Sequence, residues 1–200
     1  MTAPLQAGDL AADPLSQFQR WFEDAQGAGI ALPEAVALAT ATPEGLPSAR
    51  MVLLKAFDER GFAFFTNLES RKAGELDANP RAALLFHWKE LNRQVRVEGA
   101  ITPVNRAEVE EHARKRSRES QLSALASPQS HPIDDREALE RRVAELDRRH
   151  AGEVPVPESW GGYRVVPSAY EFWQSGEHRL HDRFRYLPAD GGWAIERLAP

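Results

Sequence analysis

The chain has no cysteine in its 200 residues. That absence excludes disulfides, thiolate nucleophiles, zinc–thiolate centres and cysteinyl-linked cofactors. No apolar run is long enough to span a bilayer. Met1–Ala12 lacks the basic and apolar regions of a signal peptide, so the cytoplasm is the expected location. A surplus of positive charge is also missing. With 25 Lys and Arg against 30 Asp and Glu, the net charge is −5, so the surface as a whole does not favour nucleic acid. Any anion site must be a local concentration of cations. No nucleophile elbow, P-loop or dinucleotide glycine fingerprint occurs, which argues against hydrolase, NTPase and doubly wound dehydrogenase readings.

What is present suits a globular protein with a core: 42% hydrophobic and 28% charged residues. Residues 1–12 read as a mobile lead-in and residues 13–200 as a single domain. Asp13-Pro14 is an N-cap followed by proline, and Leu15, Phe18, Phe22 and Ala25 recur at helical spacing up to Gly27. A strand-rich block follows, expected at residues 35–42, 48–57, 61–66, 81–88 and 92–103, with a short helix over 71–77. Asn105 with Glu108, and Asp134 with Glu137, resemble capping boxes for two helices, the second over 136–149 with Leu139, Val143 and Leu146 as its buried stripe. The Ser- and Gln-rich stretch 118–131 lies between them. Residues 163–174, 183–187 and 193–198 read as closing strands. Strands at short intervals without regular βαβ alternation favour an antiparallel barrel decorated by helices.

Four groups carry chemistry. In Thr66-Asn-Leu-Glu-Ser-Arg-Lys72 a strand ends, Ser70 can cap, and a helix opens with two cations at its positive end. A bound anion would make that placement favourable, because helix N-termini are ready phosphate sites. In Arg50-Met-Val-Leu-Leu-Lys55 two cations bracket an apolar strand. Parity puts them on opposite faces, and the strand alone explains them as snorkelling side chains. His112, Arg116 and Ser120 are spaced by four and would share one side of a continuous helix; Arg114 and Lys115 simply complement the helix dipole. The fourth group is Glu171-Phe-Trp-Gln-Ser-Gly-Glu-His-Arg-Leu-His-Asp-Arg-Phe184. Its arginines and histidines around a tryptophan suit a planar anionic ligand, since guanidinium both stacks on rings and forks onto oxygens. His178 and His181 have no evident third ligand nearby, so no metal is expected.

Together with Phe64-Phe-Thr-Asn67, Asn92-Arg-Gln-Val95, Ser120-Gln121, Gln129-Ser130 and Trp160-Gly-Gly162, these motifs recur in an order that resembles the pyridoxine/pyridoxamine 5′-phosphate oxidase family, from Asp13 to the C-terminus. The resemblance implies an FMN-binding split β-barrel of antiparallel Greek-key type, working as a homodimer with flavin sites at the subunit interface. It implies FMN contacts at Arg50, Met51, Val52, Leu53, Leu54, Lys55, Phe65, Thr66, Arg71, Lys72, Gln94, Gln129, Ser130, Trp173 and Arg183. Substrate contacts fall on Lys55, His112, Arg116 and Ser120 for a phosphate, and on Arg179 and His181, the catalytic pair, for the pyridine ring. Three departures touch the substrate side. His112 stands in place of the family's usual tyrosine. Ser123-Ala-Leu125 replaces Gly-Ala-Trp. A basic, tyrosine-bearing N-terminal segment has no counterpart in Met1–Ala12.

The implied reaction is oxidation of pyridoxamine or pyridoxine 5′-phosphate to pyridoxal 5′-phosphate, with oxygen as acceptor and hydrogen peroxide as second product. The alternatives are a related FMN oxidase of the phenazine-pathway type and a non-enzymatic protein that binds flavin or pyridoxal phosphate.

Overall fold

The computed structural model describes residues 3–200. Helix α1, Pro14–Gly27, starts where Asp13 accepts a hydrogen bond from the Ser16 amide. It lays Phe18 and Trp21 on a sheet. Nine antiparallel strands follow: β1 Ala35–Ala41, β2 Pro47–Leu53, β3 Ala56–Asp58, β4 Gly61–Asn67, β5 Arg81–Trp88, β6 Arg93–Pro103, β7 Trp160–Gln174, β8 Asp182–Ala189 and β9 Gly192–Leu198. Their spatial order is β2-β1-β5-β6-β7-β4-β3, with β8 on β7 and β9 on β8. The sheet curls until β2 approaches β4, giving the split barrel. Phe18 sits inside the curl against the ring edges of Phe57, Phe62 and Phe86. Edge-to-face pairs of this kind add about 1 kcal/mol each beyond the area they bury.

The longest strand organises the molecule. β7 pairs with β6 along one edge; its other edge takes β4 over its first half and β8 over its second. The register slips at Glu98/Gly99, opposite Pro167. This bulge lets β7 bend from one partner to the other, since an extra residue bends its strand and raises its twist. Val95 and Val97 face the core as their alternation required, while Gln94 and Arg96 face away.

Helix α2, Arg71–Ala78, joins β4 to β5; α3 (Arg106–Arg114), α4 (Arg118–Ala126) and α5 (Arg136–Arg149) lie between β6 and β7. Several boundaries differ from the sequence reading. The stretch expected as one strand over 48–57 is broken at Leu54-Lys55, whose amides bond to Glu34 and Ala63 instead of continuing a ladder. The segment 118–131 contains α4. Ser117 caps it without an acidic residue at the third position, and it buries only Leu122 and Ala126, so its polar surface hid the period. The cap of α5 is Asp135, not Asp134. Its Leu139, Val143 and Leu146 stripe is only half-buried.

The mobile lead-in expected for residues 1–12 covers Met1 and Thr2, which lie outside the described residues. Beyond them the segment is largely exposed but anchored at two points. Leu5 is buried, its amide donates to Asp182 and its carbonyl accepts from Arg197; Tyr186 donates to the Ala11 carbonyl. Local composition gave no sign of partners that lie about 180 residues away. No described helix is long and apolar enough to cross a membrane.

Candidate active site

The end of β4 and the start of α2 gather the first group of side chains. Ser70 holds the N-cap position of α2, but its hydroxyl makes no capping bond. It accepts instead from Lys72 Nζ at 3.2 Å. The same ammonium donates to Thr66 Oγ1 at 3.0 Å and to Gln129 Oε1 at 2.7 Å. All three Lys72 protons therefore meet neutral oxygens, and no carboxylate pairs with it among the described residues. Burial, and then the nearby Arg50 charge, lower its pKa. A half-buried cation without a counter-ion, at the positive end of a helix, is the electrostatic signature of an anion site.

Arg71 and Arg50 flank this point, and both pair with Glu75. Arg50 Nη1 also donates to Thr40 and to the Leu38 carbonyl, and Nη2 to Ser48. Its guanidinium is thus directed into the protein. The sequence pattern could not show this, because Thr40, Ser48 and Glu75 come from three separate elements. Met51 and Leu53, from the same motif, are exposed; Val52 is half-covered and Leu54 buried.

The second group lies at the same end of β4, on Phe65, whose side chain leaves the strand on the face opposite to that of Thr66. The His112 imidazole lies on the Phe65 ring, with centroids 4.1 Å apart and planes 5° from parallel. The guanidinium of Arg116 sits 4.6 Å from the centre of the Trp160 ring. A cation–π contact of this kind contributes on the order of 1 kcal/mol. Burial and the charges of Lys55, Arg116 and Lys115 push the His112 pKa down to about 4. His112 is therefore neutral at pH 7. The continuous helix that would align His112, Arg116 and Ser120 does not form. α3 ends at Arg114, Arg116 lies in the link, and Ser120 sits in the first turn of α4 with its amide donating to the Ser117 hydroxyl. The link is tied by Gln121, which donates to the Arg116 carbonyl. Ser130, in the left-handed region at φ 72°, sits in the turn that carries Gln129.

The third group lies at the far end of β7. Register aligns Gln94 of β6 with Trp173 of β7 and Arg183 of β8. Arg183 donates to the buried Glu171 and to the Ala199 carbonyl. His181 packs 4.8 Å from Trp173 and accepts from the Gly176 amide. His178 and Arg179 occupy consecutive left-handed conformations, φ 53° and 65°. Non-glycine residues held in that region cost about 1–3 kcal/mol each and cluster at functional sites. The Arg179 side chain is exposed, with no hydrogen-bond partner among the described residues.

The first two groups flank Trp160 at one end of β7, and the third flanks Trp173 at the other, as much as ~40 Å along the strand. Gly161 and Gly162 let the chain pass close at the first end. A Cβ on Gly162 would stand 2.7 Å from the Phe64 carbonyl oxygen and 2.9 Å from the Phe65 ring.

The chain matches the family profile described as pyridoxamine 5′-phosphate oxidase over residues 22–150. Residues 160–200 match the pyridoxine 5′-phosphate oxidase C-terminal dimerisation region. A pyridoxine/pyridoxamine 5′-phosphate oxidase of Rubrobacter xylanophilus is 57% identical over 94% of this chain and 87% of that protein. One from Gluconobacter oxydans is 51% identical over 96% of each. Among solved structures, PhzG of Burkholderia lata, in complex with tetrahydrophenazine-1-carboxylic acid, superposes with a TM-score of 0.92, at 34% identity over 98% of both chains. The split barrel, the cationic groups at its β4 end and these matches over nearly the whole length agree: the chain belongs to the pyridoxamine 5′-phosphate oxidase family.

Proposed function

We propose that the protein oxidises pyridoxamine 5′-phosphate or pyridoxine 5′-phosphate to pyridoxal 5′-phosphate with FMN as its cofactor. The observation that carries this reading is the adjacency of two cationic groups at the end of β4. Lys72 with Thr66 and Gln129 forms one, and Lys55, His112 and Arg116 form the other, both at the end of β4 that carries Phe65 and Thr66. Two anion sites side by side suit a phosphorylated cofactor next to a phosphorylated substrate. Bound there, FMN would supply the redox chemistry, taking a hydride equivalent from the substrate's 4′ carbon with oxygen reduced to hydrogen peroxide; the alcohol loses its hydroxyl proton to give the aldehyde directly, and the oxidised amine is hydrolysed by water with release of ammonia.

The chain's own residues hold and orient. Lys72, with Arg71 beside it, takes the cofactor phosphate. Lys55, Arg116 and Ser120 take the substrate phosphate, and neutral His112 donates a ring N–H to it. Fixing the phosphate fixes the pyridine ring against the flavin, a gain in effective concentration. Arg179 and His181 would cover the ring from its other side, and Gln94, Trp173 and Arg183 would complete the flavin site. Those residues sit at the opposite end of β7, so they come from a second copy of the chain. A homodimer with two shared sites follows, supported by the match of residues 160–200 to a dimerisation region.

The likeness to the phenazine-complexed PhzG favours a second reading, an FMN oxidase acting on a phenazine precursor. One assay separates the two. FMN-loaded protein is mixed in air with each B6 phosphate or with a reduced phenazine carboxylate, and peroxide and product are followed together. Equimolar peroxide and pyridoxal phosphate support the B6 oxidase. Turnover of the phenazine alone establishes the second reading. A flavin spectrum without either product points to a binding protein.

A further inference from the structure

One buried carboxylate in the cationic region belongs to no part of the function so far. Glu75 lies one turn along α2 from Arg71 and is 6% exposed. Its Oε1 accepts from Arg71 Nε at 2.8 Å. Its Oε2 accepts from Arg50 Nη2 at 3.1 Å and from the hydroxyls of Thr40 and Ser48. Burial alone would raise its pKa, but the bonds from Ser48, Thr40, Arg71 and Arg50 hold it down to about 2. It is an anion at any physiological pH, set where the flavin reading expects a second anion to bind.

The division of labour between its two oxygens is informative. Arg50 spends both terminal nitrogens on the protein, on Leu38, Thr40, Ser48 and Glu75. It therefore acts as an internal counter-ion. Arg71 is held through Nε only, and its side chain is 65% exposed. Its two Nη groups remain available as a fork, next to Lys72. Guanidinium held by one edge and presenting the other is pre-organised for bidentate capture of a phosphate. Among Arg50, Arg71, Lys72 and Glu75 two positive charges are left in excess, the charge that a phosphate dianion requires.

We propose that Glu75 is a positioning residue for the cofactor phosphate, clamping Arg71 by its Nε and neutralising Arg50 so that Arg71 and Lys72 can hold one dianion together. The proposal rests on the flavin reading above. Without the carboxylate, Arg50 of β2 and Arg71 and Lys72 of α2 crowd together unneutralised, and the Arg71 fork loses its anchor. Its effect falls on the phosphate alone, because none of its contacts reaches toward the aromatic side chains at the other end of the site.

The test is binding, not turnover. FMN and riboflavin, which differ only in the phosphate, are titrated by flavin fluorescence into wild type, Glu75→Gln and Arg71→Lys. Arg71→Lys keeps the charge but loses the Nε that Glu75 grips. Both variants are expected to bind FMN roughly tenfold or more weakly, the range for a hydrogen bond to a charged group, with riboflavin binding unchanged. The double variant should lose no more than either single one, since both break the same clamp. Equal weakening of FMN and riboflavin would reduce Glu75 to a support of the fold and overturn the proposal. FMN binding that is unchanged or tighter in Glu75→Gln would also overturn it, showing that the carboxylate merely opposes the phosphate. A wild type that binds neither flavin would overturn the cofactor reading itself, an outcome visible before any variant is made.

Discussion

The imidazole of His112 and the ring of Phe65 are stacked face to face, 4.1 Å between centroids, and this places a titratable group among Lys55, Arg116 and Lys115. Its pKa falls from 6.5 to about 4. Below pH 6.5 the unfolded chain takes up a proton that the folded chain refuses, so stability is complete above that pH and declines as the pH falls toward 4. Between pH 7.5 and 5 the loss should be about 1–2 kcal/mol, the ~1.4 kcal/mol per pH unit being reduced by solvent screening of a half-buried group. Glu75 does not interfere, because its depressed pKa costs stability only below pH 4.5. Denaturant unfolding at the two pH values, in wild type and His112→Asn, checks this. The variant should lose much of the slope. An equal slope in both would show that His112 titrates normally.

Gly162 and Gly99 separate a site effect from a fold effect. Alanine at Gly162 would press on the Phe64 carbonyl and the Phe65 ring. The ring can yield and the backbone cannot, so the His112 stack shifts. Alanine at Gly99 would meet the backbone of Val166 and Pro167 at the bulge, away from Lys55, His112 and Arg116. Both variants should lose about 1–3 kcal/mol of stability, as overpacking does. Only Gly162→Ala should also weaken binding of inorganic phosphate at the Lys55, His112 and Arg116 group. Calorimetric titration with phosphate, alongside thermal melts, distinguishes them.

Much of this was legible in the sequence. The Asp13 cap and the Phe18 period marked α1, and the alternation of Val95 and Val97 gave the inner face of β6, because these signals are local. The cations at the start of α2 stood out because they oppose the helix dipole. What stayed hidden depends on distant partners. Arg50 looked like an ordinary strand-end cation, and only the fold brings Thr40, Ser48 and Glu75 to it. The His112–Phe65 stack joins α3 to β4, and the Leu5–Asp182 bond joins the two ends of the chain. Helix α4 was missed because Ser117 is one serine among several, and nothing local marks it as a cap.

Arg179 combines exposure with a left-handed backbone and makes no side-chain hydrogen bond among the described residues. Such an arrangement is costly to the fold and clusters at functional sites. Arg179→Ala should lower kcat/KM for pyridoxine 5′-phosphate by about 10²-fold, the scale of a lost positioning contact, while the FMN titration is unchanged. Steady-state kinetics together with flavin binding provide the check. Unaltered kinetics would remove Arg179 from the site.

The separation of Lys72 from Arg183 along β7 has a consequence that a single-chain site would not share. If each flavin site takes Lys72 from one copy and Arg183 from the other, Lys72→Ala and Arg183→Ala homodimers both lack an intact site. A hybrid of the two places both substitutions in one site and neither in the other. Unfolding and refolding an equal mixture should form hybrids as about half of all dimers, restoring about a quarter of wild-type flavin sites. Either variant refolded alone should restore none. Counting sites by flavin titration reads this directly and does not depend on which substrate the enzyme prefers. Absence of complementation, with dimers verified by sedimentation, would mean that one copy supplies both residues and that the shared-site reading is wrong.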